Sequence, residues 1–189
     1  MEISYTLIVA LMFITILSFG FANILTSLAE IVNKKNNISV SIVHLNWILL
    51  LLIIHFNLAW QAVLIATNKS WSYDTFIFVE LGPILAFFMT RILFPSEVSN
   101  KEPSALFSNY LNLSQRFFLI FALLQAWAIG TDFVLTLGYT GSAIFNFLLI
   151  ILAIILMNTK SRQKHVYGVL IAWGLILTAI VLRSLGVIS

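Results

Sequence analysis

The chain has 189 residues, of which 61% are hydrophobic and 9% are charged, and its formal net charge is +3. A soluble domain carries about 25% charged residues, so this composition excludes a water-soluble fold, whose surface needs more charge. The absence of cysteine excludes disulfides, thiolate metal sites and thiol catalysis. The charges fall in short clusters between long apolar runs, which predicts a single membrane domain over residues 1–189.

Six apolar segments predict an all-α transmembrane bundle of six helices, because about 17–25 apolar residues are needed to cross a bilayer. They lie at about 4–29, 43–66, 75–94, 116–136, 142–157 and 167–187, and the fifth is the shortest. The first segment is too long for the core of a signal peptide and lacks a basic region before it, so we expect it to be retained as a span.

The basic residues predict the orientation, because Lys and Arg are retained on the cytoplasmic side. Eight of the ten flank connectors one, three and five, namely Lys34, Lys35, Arg91, Lys101, Arg116, Lys160, Arg162 and Lys164. Lys69 and Arg183 lie towards the other side. This distribution predicts both termini on the non-cytoplasmic side and explains the positive charge without nucleic-acid binding. If the fifth segment did not cross, the lysines around 160 would change sides.

The connector from residue 95 to residue 115 is the only one long enough to hold structure of its own. Residues 104–113 fit a helix that lies in the cytoplasmic membrane interface with its apolar side down. They fit equally well an extension of the fourth helix with a cap at Ser114. The sequence leaves both interpretations open.

Glu80 is the most informative polar residue, because an ionisable side chain within a span costs roughly 2.5–3.5 kcal/mol and needs a partner or water. Pro83, which follows it closely, removes a backbone hydrogen bond and predicts a kink. Candidate partners for Glu80 are Arg183 in the sixth segment and His55 in the second. Asp132 in the fourth segment is a second candidate for Arg183. A structural ion pair and a proton or cation site are both open.

The second segment is the most polar within its apolar run, with His44, Asn46, His55, Asn57 and Gln61. The two histidines share one face and the two asparagines nearly the opposite one, since eleven residues make about three turns. A helix with polar groups on both sides is predicted to lie at the centre of the bundle. Its polar side chains either hydrogen-bond to neighbouring helices or line an aqueous path.

Several chemistries lack the residues that they require. His165, placed in a basic loop, is the only histidine outside the second segment, so neither a bis-histidine haem nor a zinc site is predicted. No lysine lies within a span to form a retinal Schiff base. Gly141-Ser142 resembles a nucleophile motif, but no histidine lies at a plausible depth in the later helices to act as its base. We predict no cofactor and no metal, and the sequence disfavours an enzyme.

The first two segments carry a layout of residues that resembles a group of small bacterial multi-span membrane proteins. The pattern comprises Gly20, Leu25, Ser27-Leu28-Ala29, the basic turn Lys34-Lys35, His44-Leu45-Asn46-Trp47 and the stretch from Phe56 to Trp60. The resemblance covers about a third of the chain. It implies a multi-pass protein of a bacterial inner membrane and brings no assigned activity, so no functional residue is carried over.

These observations lead to two main hypotheses for the function, while a third, an enzyme that acts on a lipid or quinone, is disfavoured. The first is a transport, channel or membrane-signalling component whose path or switch is built from the second, third and sixth segments. The alternative is a non-catalytic membrane subunit or assembly partner of a larger complex. Membrane lipids, a second copy of the chain or another membrane protein are the expected partners.

Overall fold

A computed structural model describes residues 5–33, 42–65, 71–93, 103–136 and 141–188, which form six α-helices and no strand. The helices are α1 Tyr5–Asn33, α2 Ile42–Ile65, α3 Tyr73–Leu93, α4 Pro103–Thr136, α5 Ala143–Met157 and α6 Arg162–Ser184. The predicted all-α fold is confirmed, because each apolar segment of the sequence forms one helix.

Five of the described helices are long and apolar enough to cross a membrane, and they are α1, α2, α3, α4 and α6. The chain is therefore a multi-pass integral membrane protein. The apolar helix α5 has 15 residues, which makes it about 22 Å long at 1.5 Å per residue. The hydrocarbon core of a bilayer is about 30 Å thick, so α5 is shorter than this core.

The fourth helix begins much earlier than the predicted span. It runs from Pro103 as one helix, which confirms the extension for residues 104–113 and shows that the separate interfacial helix was wrong. Ser114 is not a cap, because it lies within the helix and its Oγ donates to the Leu111 carbonyl at 2.7 Å. Pro103 suits the first turn of a helix, where its missing N–H is not needed.

The sixth helix also begins earlier than predicted, at Arg162. His165 therefore lies in a helix and is fully buried, so its placement in a loop was wrong. The flanking Arg162 and Lys164 are exposed on the same turn. A basic stretch can form a membrane helix when its charged side chains reach water.

Helix α2 lies at the centre of the bundle, where it packs against α1, α3, α4 and α6. Its Trp47 is buried against the rings of Phe117, Phe118 and Phe121 in α4, with centroid distances from 5.1 to 5.8 Å. The predicted central position of this helix is thus confirmed. Aromatic packing of this kind holds α2 and α4 in a fixed register.

A close contact joins α3 and α4 beside Pro83. The backbone of Gly82 lies against the Trp127 ring, which a side chain at this position would overlap. The indole Nε1 donates to the Phe78 carbonyl at 2.7 Å. A small residue in one helix and a polar aromatic residue in the other therefore let the two backbones approach closely.

Only part of the predicted charge pattern falls on described residues. Lys34, Lys35, Lys69 and Lys101 lie outside them. The remaining basic residues are all exposed, and they are Arg91, Arg116, Lys160, Arg162, Lys164 and Arg183.

Candidate functional site

The structure divides the predicted site residues into two groups. One cavity of about 430 Å³ lies between α2, α4, α5 and α6, and its lining includes Asn57, Gln61, Asp132 and Arg183. Glu80 and His55 do not line it. We refer to this space as the four-helix cavity.

The four-helix cavity combines apolar walls with converging polar groups. Aliphatic side chains from all four helices form much of the wall, namely Ile53, Ile54, Leu124, Leu149, Ile176 and Ile180. The polar side chains also come from several elements, and they include Asn57, Gln61, Gln125, Asp132, Ser142, Asn146 and Arg183. An apolar pocket with a few convergent polar groups is typical of a small-molecule site.

Arg183 enters the cavity from the last turn of α6. Its Nη1 donates to Asn57 Oδ1 of α2 at 3.4 Å, and this is its only polar contact among the described residues. A neutral amide orients the guanidinium without compensating its charge. The predicted ion pair between Arg183 and Glu80 is not formed, since Glu80 is not part of this cavity.

Asp132 enters the cavity from the C-terminal part of α4, where it is half-buried. The hydroxyl of Ser142, which is buried just before α5, donates to Asp132 Oδ2 at 3.3 Å. Asp132 and Arg183 belong to helices whose backbones stay apart, since no Cα atom of α4 lies within 8 Å of a Cα atom of α6 in the described elements. Asp132 and Arg183 therefore reach one cavity from separate helices.

Glu80 is buried in α3, with 5% of its surface exposed. Neither of its carboxyl oxygens has a hydrogen-bond partner in the part of the chain that the structure describes. The sequence marked Glu80 only because an ionisable residue stands within an apolar segment. The partners that the sequence offered for it, Arg183 and His55, lie elsewhere.

His55 is packed between three helices. Its Nδ1 lies 2.8 Å from the Leu51 carbonyl, which can only accept, so Nδ1 carries the proton and Nε2 does not in the neutral ring. A Cβ at Gly20 of α1 would lie 2.6 Å from Nε2 and 3.5 Å from the Phe87 Cα. Phe87 is seven residues beyond Glu80, or about 10 Å along α3, so the two predicted partners lie at different depths.

A second buried polar group, which the sequence did not predict, lies at the other end of α2, α4 and α6. His165 Nε2 donates to the Thr159 carbonyl at 3.0 Å, which leaves Nδ1 to accept from the Tyr110 hydroxyl at 3.1 Å. Burial raises the pKa of Tyr110 above its ordinary value, so this hydroxyl remains a donor. The His44 ring contacts Tyr110 edge-on at 5.9 Å.

Helical spacing in the sequence gives a signal for buried and cavity-lining residues that were not among the predicted site residues. The buried positions of α6 are His165, Gly168, Val169 and Ala172, which follow helical spacing from the histidine onward. Gln125 precedes Asp132 by seven residues, and Asn146 follows Ser142 by four, so each polar pair shares one helix face. A face of this kind would have added Gln125 to Asp132 as a candidate, whereas it groups Asn146 only with Ser142, and only packing brings α5 to the cavity.

Comparisons with known proteins give no further guide to the function. No protein-family model matches the chain, and neither a curated protein nor a solved structure matches it significantly. The chemistry of the four-helix cavity therefore carries the functional argument.

Proposed function

We propose that this protein is a membrane transport or signalling component whose ligand site is the four-helix cavity. The observation that supports the proposal is the convergence of eight polar side chains, Ser184 among them, on a space walled by aliphatic residues. Polar groups within membrane helices are costly unless they face a partner, water or a ligand. The volume falls in the range of about 300–1,000 Å³ that small-molecule sites occupy.

The site differs in part from the path expected from the sequence. It keeps α2 and α6, but α4 and α5 complete it in place of α3. Glu80 lies outside it, and we assign Glu80 no contact with the ligand. Its role as a proton or cation site stays a separate hypothesis, which proton flux into liposomes tests by comparing wild type with Glu80→Gln.

The proposal includes six membrane crossings with both termini on the non-cytoplasmic side. Ser142 at the start of α5 bonds to Asp132 at the cavity, whereas Thr159, just beyond the end of α5, bonds to His165 in the opposite polar group. These contacts support a fifth helix that runs from one end of the bundle to the other. In this topology the cavity lies towards the non-cytoplasmic side. A bacterial inner membrane, which the resemblance implies, remains part of the proposal.

Accessibility of the cavity to water tests the proposed site. The chain has no cysteine, so a single introduced cysteine reports its own surroundings. Gln61→Cys and Asn146→Cys should react with a membrane-impermeant maleimide from the non-cytoplasmic side. Ala86→Cys in the buried core and Leu177→Cys on the exposed apolar face of α6 are the controls and should remain unlabelled.

Failure of both cavity cysteines to react, while a cysteine at an exposed helix end does react, would show a dry interior and remove the proposed site. The alternative function, a subunit or assembly partner of a larger complex, predicts a second membrane protein or a second copy of the chain in mild-detergent preparations. A preparation that runs as one monomeric species would count against this alternative.

A further inference from the structure

The charges in the four-helix cavity restrict which ligands it can accept. One guanidinium, Arg183, and one carboxylate, Asp132, line the same space. A simple anion would meet the carboxylate, and a simple cation would meet the guanidinium. A like charge beside a bound ligand is unfavourable, and aliphatic walls, which screen charges less than water does, strengthen this effect. A ligand with both signs of charge avoids this conflict.

Each charged group shares a hydrogen bond with a neutral side chain from a different part of the chain. Asn57 of α2 takes one hydrogen bond from Arg183, and Ser142 donates one to Asp132. A guanidinium has five N–H donors, so within the described residues Arg183 keeps donors for an anionic group, which it can bind with two parallel bonds. A carboxylate has about four acceptor positions, so Asp132 can accept from a ligand in addition to the groups that already contact it.

A separate observation indicates that the cavity requires a donor from its ligand. The Oε1 atom of Gln61, which also lines the cavity, is buried without a hydrogen-bond partner among the described residues. A buried acceptor that lacks a donor is unfavourable. An ammonium group has several N–H donors and could serve this amide oxygen and the Asp132 carboxylate together.

The size and walls of the cavity agree with a small ligand that has a polar end. Its volume of about 430 Å³ corresponds to roughly fourteen waters at about 30 Å³ each. The aliphatic walls offer no further charge, and the largely exposed Trp60 also borders the cavity. Tryptophan is favoured where a membrane protein meets the lipid–water interface.

From these features we infer that the four-helix cavity binds a zwitterion, a molecule with an anionic group and an ammonium group on a short linker. The anionic group pairs with Arg183, and the ammonium group donates to Asp132 and Gln61. The inference rests on the proposed function, since it names the ligand class of the same site. Two sources offer this chemistry: the headgroup of phosphatidylethanolamine and a free solute such as phosphoethanolamine or an amino acid.

The test measures binding to the purified, full-length protein in two arms. In the lipid arm, mass spectrometry of the intact protein in mild detergent follows added phosphatidylethanolamine, phosphatidylcholine and phosphatidylglycerol. In the solute arm, thermal unfolding is followed with added phosphoethanolamine or glycine. Retention of phosphatidylethanolamine above the other two lipids identifies a lipid ligand, and stabilisation in the solute arm identifies a free one.

The variants assign the binding to named groups. Arg183→Gln should weaken the response about tenfold, which corresponds to 1.4 kcal/mol, and Asp132→Asn should abolish the preference for an ammonium group. Gln61→Leu removes the acceptor without a change of charge, and should lower binding of phosphatidylethanolamine but not of phosphatidylglycerol. Arg91→Gln is the matched control and should have no effect, because Arg91 is also exposed and its Nη1 donates to an asparagine, Asn23, at 3.4 Å.

Three results would overturn the inference. Equal binding of phosphatidylglycerol and phosphatidylethanolamine, sensitive to Arg183→Gln alone, would identify an anion site. No response in either arm, with cavity cysteines that still react from water, would remove the zwitterion and leave the proposed function standing. Cavity cysteines that do not react from water would remove both the zwitterion inference and the proposed function. Thermal unfolding of each variant without ligand identifies any variant that is misfolded. If a charge variant is misfolded, the binding of phosphatidylethanolamine and phosphatidylglycerol to Gln61→Leu decides whether the inference holds.

Discussion

Tyr110 shows how one buried hydroxyl joins distant parts of the chain. It lies before the apolar part of α4 that crosses the membrane, which runs from Leu113 to Leu135, and it is 3% exposed. Its hydroxyl donates to His165 of α6 across 55 positions in the sequence. Because the Thr159 carbonyl fixes the tautomer of His165, the imidazole Nδ1 depends on Tyr110 for its donor.

Tyr110→Phe is therefore expected to destabilise the protein by about 0.5–1.5 kcal/mol, the usual net contribution of a hydrogen bond. Burial raises the pKa of Tyr110 in the folded state, whereas in the unfolded chain tyrosine ionises near pH 10, about its ordinary pKa. The stability linked to this group is thus complete below about pH 10 and is lost as the pH rises above it. The difference between wild type and Tyr110→Phe should therefore shrink above pH 10.

Thermal unfolding in detergent from pH 8 to pH 11 measures this difference. Tyr167→Phe is a suitable control, because Tyr167 is exposed, and its melting temperature should match that of wild type. A difference between wild type and Tyr110→Phe that stays constant over the whole range would contradict the burial of a neutral Tyr110 hydroxyl, and equal melting temperatures at pH 8 would contradict the hydrogen bond.

At the scale of the helices, close packing depends on small residues placed opposite large ones. Gly20 of α1 lies against the ring of His55 in α2. This ring cannot move away easily, because it is 1% exposed and bonded through Nδ1 to its own helix. A methyl group at Gly20 would therefore push α1 away from α2.

We expect Gly20→Ala to lower stability by about 1–3 kcal/mol, the range for overpacking a close-packed interior. Gly174→Ala is the matched control, because a Cβ at Gly174 of α6 meets no atom within 4 Å and alanine favours the helix. Thermal unfolding of both variants in the same detergent gives the comparison. Equal melting temperatures for the two variants would show that the Gly20 contact is not tight.

For the whole molecule, the polar groups are divided between the two ends of the bundle. The four-helix cavity collects the C-terminal parts of α2, α4 and α6 and the start of α5. The group around Tyr110 and His165 joins the N-terminal parts of α2, α4 and α6. Helix α5 runs between these two groups, since Ser142 just before it bonds to Asp132 and Thr159 just after it bonds to His165.

The number of crossings predicts where single cysteines react. If α4 and α5 both cross, Arg116→Cys and Lys160→Cys should be labelled from the same, cytoplasmic, side. Val187→Cys, after α6, should be labelled from the other side. All three positions are exposed, and the chain has no cysteine of its own. Opposite sides for residues 116 and 160 would show that α5 does not cross.

The sequence by itself determined the class of the fold and the position of its helices. Apolar length is a local property, so six segments of suitable length predicted six helices. The large error, at the start of α6, occurred where polar residues in the sequence hid a helical face, whereas the extension at the start of α4 was one of two interpretations left open. His165 shows the reason: its neighbours are charged and exposed, while its own ring is buried.

Only the tertiary structure decided which polar residues meet. The sequence marked Glu80, His55, Asp132 and Arg183 as ionisable side chains in apolar segments, but it could not pair them, since helix rotation and neighbours arise from packing. Contacts across more than a hundred positions, such as that between Asn57 and Arg183, have no local signature. The cost of burying polar side chains therefore identifies the candidate residues from the sequence, whereas helix packing determines which of them lie in one site.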